Sequence, residues 1–406
     1  MKIKYTLLLF MFSACFSHLS AALEISGIVQ ANVVKADEAK SWLERDTGVL
    51  AYSQDGLNLQ QVAVKLSQSV TSNLNINVVA NYYQSGDQHL GLSQAELIYK
   101  PLSADDVKWK ARVGFFYPKM SLENVDIGWL SPYSYTQSAI NSWIGEELKT
   151  PGIEVTLYSP GRPRNSAFSW EFHAATFKGN DPLGTIISWR GFAMHDRQSL
   201  HNERVSFAPY PTVVNENEIN HPAFVEPFHE LDGRLGYYLG AHLDYYQKTK
   251  LRYYYYDNRA EPLAINSLRL YGWRTKFHSI AGQHNFNNDT RVIGQLLTGS
   301  SAMGERIVFI DFDAWYLMLS HKIEKHRLSL RYDKFKVRGD DARPLDNNNS
   351  KGYGLTLAWR YNLNKNWQVG VEQHINQNSA LNRQTLGQTV EVDQQQSLAV
   401  VQFRWR

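Results

Sequence analysis

The chain has 406 residues, and its 42 lysines and arginines nearly balance its 39 aspartates and glutamates. This balance gives no indication of a nucleic-acid partner. The length suits two or three ordinary domains or one large β-barrel, and no run of about 18 apolar residues follows the first segment, which argues against a membrane-spanning helix.

Residues 1–22 have the features of a secretory signal peptide. Two lysines precede an apolar run at 7–12, and small residues at 20–22 suit a cleavage site. Cys15 is the only cysteine and lies inside this segment, so the mature chain would carry no disulfide. The sequence therefore predicts an exported protein that is either soluble or a β-barrel.

From residue 24 onward, segments of alternating apolar and polar residues recur, which is the pattern of β-strands with one apolar face. About sixteen such segments lie near 24–34, 59–70, 74–82, 93–100, 107–116, 152–157, 167–176, 234–245, 251–256, 268–280, 290–298, 313–322, 326–335, 352–361, 367–375 and 395–405. Short connections alternate with long ones, as in outer-membrane barrels with short periplasmic turns and long extracellular loops. The predicted fold is all-β, a transmembrane antiparallel β-barrel of about 16 strands over 23–406.

Two long insertions interrupt the strand pattern, at 117–149 and at 178–230. A loop of such length is uncommon in a folded domain unless it is functional or disordered. Trp129 and Trp143 give the first insertion apolar area to pack, which argues against disorder. We therefore expect residues 117–149 to fold and to control what passes. Residues 178–230 are predicted to form a long extracellular loop, with the alternative that they fill the lumen.

Tyrosines and tryptophans recur at the periplasmic ends of the predicted strands, on the same face as apolar neighbours. Amphipathic rings prefer the headgroup level of a membrane, so these residues are predicted to form an aromatic girdle. The predicted girdle consists of Tyr99, Trp109, Trp170, Tyr245, Tyr361, Trp367 and Trp405. The alternative explanation is that β-sheets favour aromatic residues in any setting.

Two segments resemble the outer-membrane porin families. In residues 397–406, SLAVVQFRWR, the apolar alternation runs almost to the chain end, as in porins whose terminal aromatic is read by the barrel-assembly machinery; here Arg406 follows Trp405. Residues 112–118, RVGFFYP, resemble the segment before a loop in porins of the phosphate-selective O/P type. The resemblance implies a passive channel for small hydrophilic solutes in the Gram-negative cell outer membrane. It also implies contact with membrane lipid and lipopolysaccharide, and a homotrimer.

Residues opposite the lipid-facing ones would line the lumen, where basic side chains outnumber acidic ones. The basic residues predicted to line the pore are Lys108, Lys110, Arg112, Arg234, Arg252, Arg274, Arg291, Arg327 and Arg331. Fixed charge of one sign in a channel concentrates the opposite ion, so the sequence predicts a preference for anions. The alternative is that these charges pair with acidic side chains across strands. They would then keep the lumen hydrated without selecting between ions.

General porins fold their third long loop into the barrel as a constriction, and 117–149 occupies that place in the chain. The resemblance implies that four carboxylates of this loop face the basic wall of Lys108, Lys110 and Arg112. These carboxylates are Glu123, Asp126, Glu146 and Glu147. The alternative is that the loop packs outside the barrel against another subunit.

Catalytic and metal-binding patterns are weak in this chain. The group His195, Asp196, His201 and Glu203 could suggest a hydrolase or metal site, but no His-Glu-x-x-His or Cys/His spacing occurs. The sequence therefore predicts no enzyme, no metal and no cofactor. A substrate-specific channel, a non-conducting barrel that binds through its loops, and an outer-membrane hydrolase are the alternatives to a general porin.

Overall fold

The structure is a computed structural model that describes residues 23–37, 39–214, 220–342 and 347–406. The predicted signal peptide lies outside these residues. Sixteen antiparallel strands form a closed barrel in which each strand pairs with its neighbours along the chain and β1 closes against β18. The predicted fold class is confirmed.

Each strand described here belongs either to the barrel or to a separate two-stranded sheet. The barrel consists of β1 (Glu24–Ala36), β2 (Gly56–Ser69), β3 (Leu74–Tyr83), β4 (Leu90–Tyr99), β5 (Lys108–Phe116), β6 (Thr150–Ser159), β7 (Phe168–Phe177), β10 (Gly236–Tyr245), β11 (Thr249–Asp257), β12 (Arg274–Asn285), β13 (Thr290–Met303), β14 (Val308–Ile323), β15 (His326–Gly339), β16 (Ser350–Asn362), β17 (Trp367–Ala380) and β18 (Glu391–Trp405). The small sheet pairs β8 (Val205–Ser206) with β9 (Phe224–Val225).

Among the described residues, helical segments occur only in the connections between strands. They are α1 (Ala139–Glu147), α2 (Thr185–Trp189), α3 (Pro211–Val214) and 3₁₀ turns at Trp42–Glu44, Ile127–Trp129, Arg162–Arg164 and Leu381–Leu386. Within the described part of the chain, no helix is both long and apolar enough to cross a membrane.

The two ends of the barrel differ in their connections, although less strictly than predicted. One end, called the turn end here, has connections of two to eight residues, such as 324–325 and 100–107. The other, the loop end, carries the long insertions but also two short connections, 84–89 and 304–307. Gly304, at φ 62°, permits the second of these tight turns. The strand predicted near 268–280 also begins later than expected, at the first residue of β12.

Side chains alternate between an exposed outer face and a buried inner face. On β14, Leu317 and Leu319 are exposed, whereas Tyr316 and Met318 are buried. An exposed apolar face on a closed barrel is the pattern of strands that contact lipid. Strands β12 to β18 have 12 to 16 residues, more than the 9 to 11 or so that cross a bilayer. They therefore extend beyond the apolar band at the loop end.

All seven residues of the predicted girdle lie on the outer face near the turn end. Neighbouring rings contact each other, with centroids 5.5 Å apart for Tyr99 and Trp109. Trp367 lies 4.8 Å from Phe403, whose ring in turn stacks 6.1 Å from that of Trp405. This arrangement gives the turn end an aromatic rim, and its contact with membrane headgroups stays a prediction.

Candidate pore and its plug

Three segments fold into the barrel and are called the plug here: the described residues of 39–55, 117–149 and 178–230. In α1 all nine residues are buried. In 178–230, predicted to be an external loop, Leu183, Ile186 and Leu200 have no exposed surface. That prediction is corrected, because apolar side chains of this segment pack inside the barrel; the alternative that it fills the lumen fits the structure.

Residues 117–149 reach from one wall of the barrel to the opposite wall. Gly128, at φ 66°, lies against β2 and β3 so closely that a Cβ atom there would be 2.8 Å from Cβ of Ala63. Asn141 donates from Nδ2 to Oε1 of Gln295 on β13, at 3.2 Å. In the ring of sixteen strands, β13 stands eight places from β3. The segment therefore crosses the full width of the lumen.

The wall formed by β12 to β15 meets the plug through aromatic rings. Trp143 of α1, with no exposed surface, lies 5.4 Å from Phe277 and 5.2 Å from Phe312, between ring centroids. Phe192 of the plug lies 5.8 Å from Phe335. Lumen-facing residues of a water-filled barrel are expected to be polar. This part of the lumen is instead an apolar, packed core.

Arg331 on β15 holds the segment that precedes α1. The side chain is 1% exposed, and its Nη1 lies 2.7 Å from Oε1 of Glu123. Its guanidinium also donates to the carbonyl oxygens of Thr136 at 2.6 Å and Gln137 at 2.9 Å, and to Asp333 at 2.7 Å. A planar fork of donors suits such a site better than an ammonium group. Glu123 thus pairs with Arg331 instead of facing β5 as predicted.

Glu146 joins two segments of the plug. Its carboxylate accepts two bonds from Arg190, at 2.7 and 2.5 Å, and lies 3.2 Å from Nε2 of His195. Burial alone would raise the pKa of Glu146, but its contacts with the Arg190 guanidinium and with His195 outweigh burial and lower the pKa to about 2. The ionised carboxylate of Glu146 therefore links α1 to the segment after α2.

Glu147, the next residue, has a different environment. Its carboxylate accepts from the backbone N–H groups of Ile186 at 3.0 Å and Gly184 at 3.3 Å, at the N-terminal end of α2, and from Nε1 of Trp143. Burial raises the pKa of Glu147 to about 7, although these hydrogen bonds oppose the shift. Two adjacent carboxyl groups of α1 therefore have pKa values on opposite sides of the ordinary value.

The transverse field predicted between the loop carboxylates and β5 does not form, because most of the residues concerned pair elsewhere. On β5, Arg112 lies 2.8 Å from Glu154, and Lys110 lies 3.2 Å from Glu171. Asp126 pairs with Arg404 of β18. Most of the charges that the prediction set against each other are thus neutralised by other partners, whereas Lys108 has no carboxylate within 4.0 Å among the described residues.

Below the plug, towards the turn end, the inner face is basic. We call this region the basic vestibule. It is formed by Lys119 of the plug and by the wall residues Lys65, Lys108, Lys110, Arg252, Arg291, Arg327, Arg360 and Arg404. In the described parts of the chain, no carboxylate oxygen lies within 4.0 Å of the charged nitrogens of seven of them, the exceptions being Lys110 and Arg404. A cavity of about 510 Å³ opens beside Arg360 and Arg404.

Two arginines predicted to line the pore lie outside it. Arg234 is in the exposed connection before β10 and pairs with Glu261. Arg274 begins β12 on the outer face, where its Nη2 lies 3.0 Å from Asp257. The prediction placed both on regular inward positions, but one precedes its strand and the other has the opposite orientation.

The residues that could have suggested a hydrolase make contacts within the plug or between the plug and the wall. Besides the contact of His195 with Glu146, Asp196 accepts from the side chain of Gln60 on β2. Glu203 pairs with Arg197, and the backbone N–H of His201 donates to the carbonyl of Leu92 at 2.9 Å. These contacts give the four residues roles in holding the plug.

No protein-family model and no curated protein matches this chain. Solved structures do resemble it. A loop L8 deletion mutant of OmpT, an outer membrane protein of Vibrio cholerae, has a TM-score of 0.56 at 11% identity over 95% of this chain and 100% of that chain. The trimer form of in-vitro folded OmpT from the same organism gives 0.55 at 10% identity, over 95% and 99%.

An anion-selective porin from Comamonas acidovorans has a TM-score of 0.52 at 13% identity, over 95% of this chain and 100% of that chain. At these identities the likeness concerns the fold. The chain therefore has the sixteen-strand β-barrel fold of the Gram-negative outer-membrane porins.

Proposed function

We propose that the protein is a gated channel of the Gram-negative outer membrane, closed in this conformation and opened by movement of the plug. The observation that carries the proposal is the direct contact of the plug with opposite walls, from Gly128 at β2 and β3 to Asn141 at β13. Close packing of a segment that spans the lumen leaves little room for water to pass, which supports a channel that is closed here and opens when the plug moves.

The proposed solutes are small and hydrophilic, with a preference for anions. The basic vestibule supports this preference, since cations such as Lys108 and Arg252 have no carboxylate partner within 4.0 Å among the described residues. Unpaired charge of one sign on the wall of a narrow aqueous space attracts ions of the opposite sign. The vestibule would therefore select ions only after the plug has opened.

The membrane setting brings further proposed partners. The exposed leucines of β14 and the aromatic rim suit lipid, and the charged strand ends above them suit lipopolysaccharide. The C-terminal strand, with Phe403 and Trp405 on its outer face, suits the barrel-assembly machinery. A homotrimer is proposed by resemblance, and the OmpT structure cited above is a trimer form.

Planar-bilayer recording of the purified barrel tests the proposal. We expect brief, voltage-dependent openings and a reversal potential in a salt gradient that indicates anion preference. A large, steady conductance would contradict gating, and a reversal potential of the opposite sign would contradict anion preference. Complete silence at every voltage would instead indicate a non-conducting barrel.

A further inference from the structure

Two histidines and a glutamate meet on the inner face of β7 and β10. Glu171 and His173 are two residues apart, so they share one face of β7, and His242 of β10 stands directly opposite Glu171 in the register. Nε2 of His173 lies 3.3 Å from Oε2 of Glu171, and Nδ1 of His242 lies 3.8 Å from the same oxygen. The three ligand atoms lie within 4.8 Å of one another.

The other ring nitrogens already have partners. Nδ1 of His173 lies 3.1 Å from the hydroxyl of Thr156, and Nε2 of His242 lies 2.9 Å from the hydroxyl of Tyr254. When these two nitrogens carry the protons and donate them, the remaining nitrogens keep free lone pairs on the side near the carboxylate of Glu171. Nε2 of His173 is buried without a hydrogen-bond partner. Three electron-pair donors are thus close enough together to bind one ion.

We propose that Glu171, His173 and His242 form a binding site for a divalent transition-metal ion of the Zn²⁺ type. Imidazole nitrogens and carboxylate oxygens bind Zn²⁺ at about 2.0–2.2 Å, and three protein ligands leave a fourth position for water. The side chain of Glu171 is 32% exposed to the basic vestibule, which gives an ion a route of entry. Thr156 and Tyr254 would orient the two rings, as partners of ligating histidines do in known metal sites.

Neighbouring charges determine how tightly an ion is held. Nζ of Lys110 lies 3.2 Å from Oε2 of Glu171, so its ammonium group competes for the oxygen that the metal needs. The same group lies 5.1 Å from the ring centroid of Tyr158, which offers it an alternative position. Arg112 is already neutralised by Glu154, whereas the unpaired Lys119 and Arg252 of the basic vestibule also oppose the binding of a cation. Removal of the Lys110 ammonium should therefore strengthen metal binding.

Calorimetric titration with Zn²⁺ of the tag-free full-length barrel, stripped with chelator in detergent, tests the site. We expect one bound equivalent, and with Co²⁺ the visible absorption bands of a low-symmetry site. His242→Gln and Glu171→Gln should each weaken binding at least tenfold, and Tyr254→Phe about tenfold. Lys110→Met should tighten it.

His278→Gln is the matched control, since His278 lies on the outer face of β12. Heat-dependent gel mobility shows whether each variant has formed its barrel. The absence of a bound equivalent in the folded wild type would overturn the proposal, as would binding that His242→Gln and Glu171→Gln leave unchanged. Metal binding is measured without conduction, so its failure and the failure of the gated channel are separate results.

Discussion

Glu146 of α1 and Arg190, one residue beyond α2, form a two-bond ion pair inside the barrel, with oxygen–nitrogen distances of 2.7 and 2.5 Å. The pair joins plug segments 44 residues apart in sequence, and both side chains are at most 5% exposed. Removing one partner of a buried ion pair leaves the other charge uncompensated, at a cost of about 3–5 kcal/mol.

Glu146→Gln should loosen the plug because Arg190 loses its counter-charge. We expect longer or more frequent openings in planar bilayers and a lower temperature for the heat-induced change in gel mobility. Glu391→Gln, at the exposed start of β18, is the control and should behave as the wild type. Equal open probabilities in the two variants would show that the ion pair does not hold the plug.

The two adjacent carboxyl groups of α1 predict how plug stability depends on pH. Glu147 has a folded-state pKa of about 7 against an ordinary value of 4.5, so its contribution is present below about pH 4.5 and is lost as pH rises towards 7. Glu146, with a pKa of about 2, contributes above pH 4.5 and loses this contribution as pH falls. The plug should therefore be held most tightly near pH 4.5.

The pH dependence can be measured as the midpoint temperature of the mobility change between pH 4.5 and 8. Glu147→Gln should flatten the decline. Each unit of pKa shift corresponds to about 1.4 kcal/mol of stability, so the whole decline due to Glu147 is a few kcal/mol. Asp181 has a pKa of about 7, raised by burial and by the charges of Glu230 and Asp232, so part of the decline should remain. Parallel curves for wild type and Glu147→Gln would contradict the assignment.

Strand β15 carries a buried arginine, Arg331, and an exposed arginine, Arg338, so substitutions at the two positions can be compared. Arg331→Lys should destabilise the barrel by about 3 kcal/mol or more, because one ammonium cannot reach Glu123, Asp333 and the carbonyls of 136–137 together. Arg338→Lys is the control: its pair with Asp313, at 2.7 Å, is on the outer face and should contribute about 0–1 kcal/mol. Similar thermal midpoints for the two variants would count against the role of Arg331.

A disulfide can test whether the plug must move. A Cβ atom on Gly191 of the plug would lie 3.3 Å from Cβ of Ser350 on β16, close to the separation in disulfides. The double substitution Gly191→Cys and Ser350→Cys should abolish openings under oxidising conditions, and reductant should restore them. Each single substitution is the control. Unchanged conductance in the oxidised double variant would mean that ions pass without displacement of this segment.

The barrel could be predicted from the sequence because each strand signals itself locally. Alternation of apolar and polar residues, as at Leu317 and Met318, needs no knowledge of distant contacts. The outward position of Trp109 and Trp367 follows from the same period of two. The ends of strands are harder to predict from this alternation. The sequence predicts that Arg274 faces inward because the preceding loop resembles a strand, whereas the structure places it on the outer face.

The plug could not be predicted in the same way, because its contacts join residues without a common period. Nothing near Glu146 in sequence identifies Arg190 as its partner. The apolar inner faces of β12 to β15 were a usable signal: Phe277 and Phe312 occupy positions that would face water in an open pore. The cluster of Glu171 and His173 also had a signal, since both share one face of a strand, but the register that adds His242 was needed to recognise it.

The ion pair between Arg331 and Glu123 spans 208 positions of the chain. Strands β12 to β17 each contact residues 117–149, so this part of the wall has to form together with the segment that it encloses. Contacts of such long sequence separation are slow to form. Shortening this segment would expose Phe277 and Phe312 inside an unfilled barrel. We therefore expect residues 117–149 to guide the assembly of the barrel wall, in addition to closing the lumen.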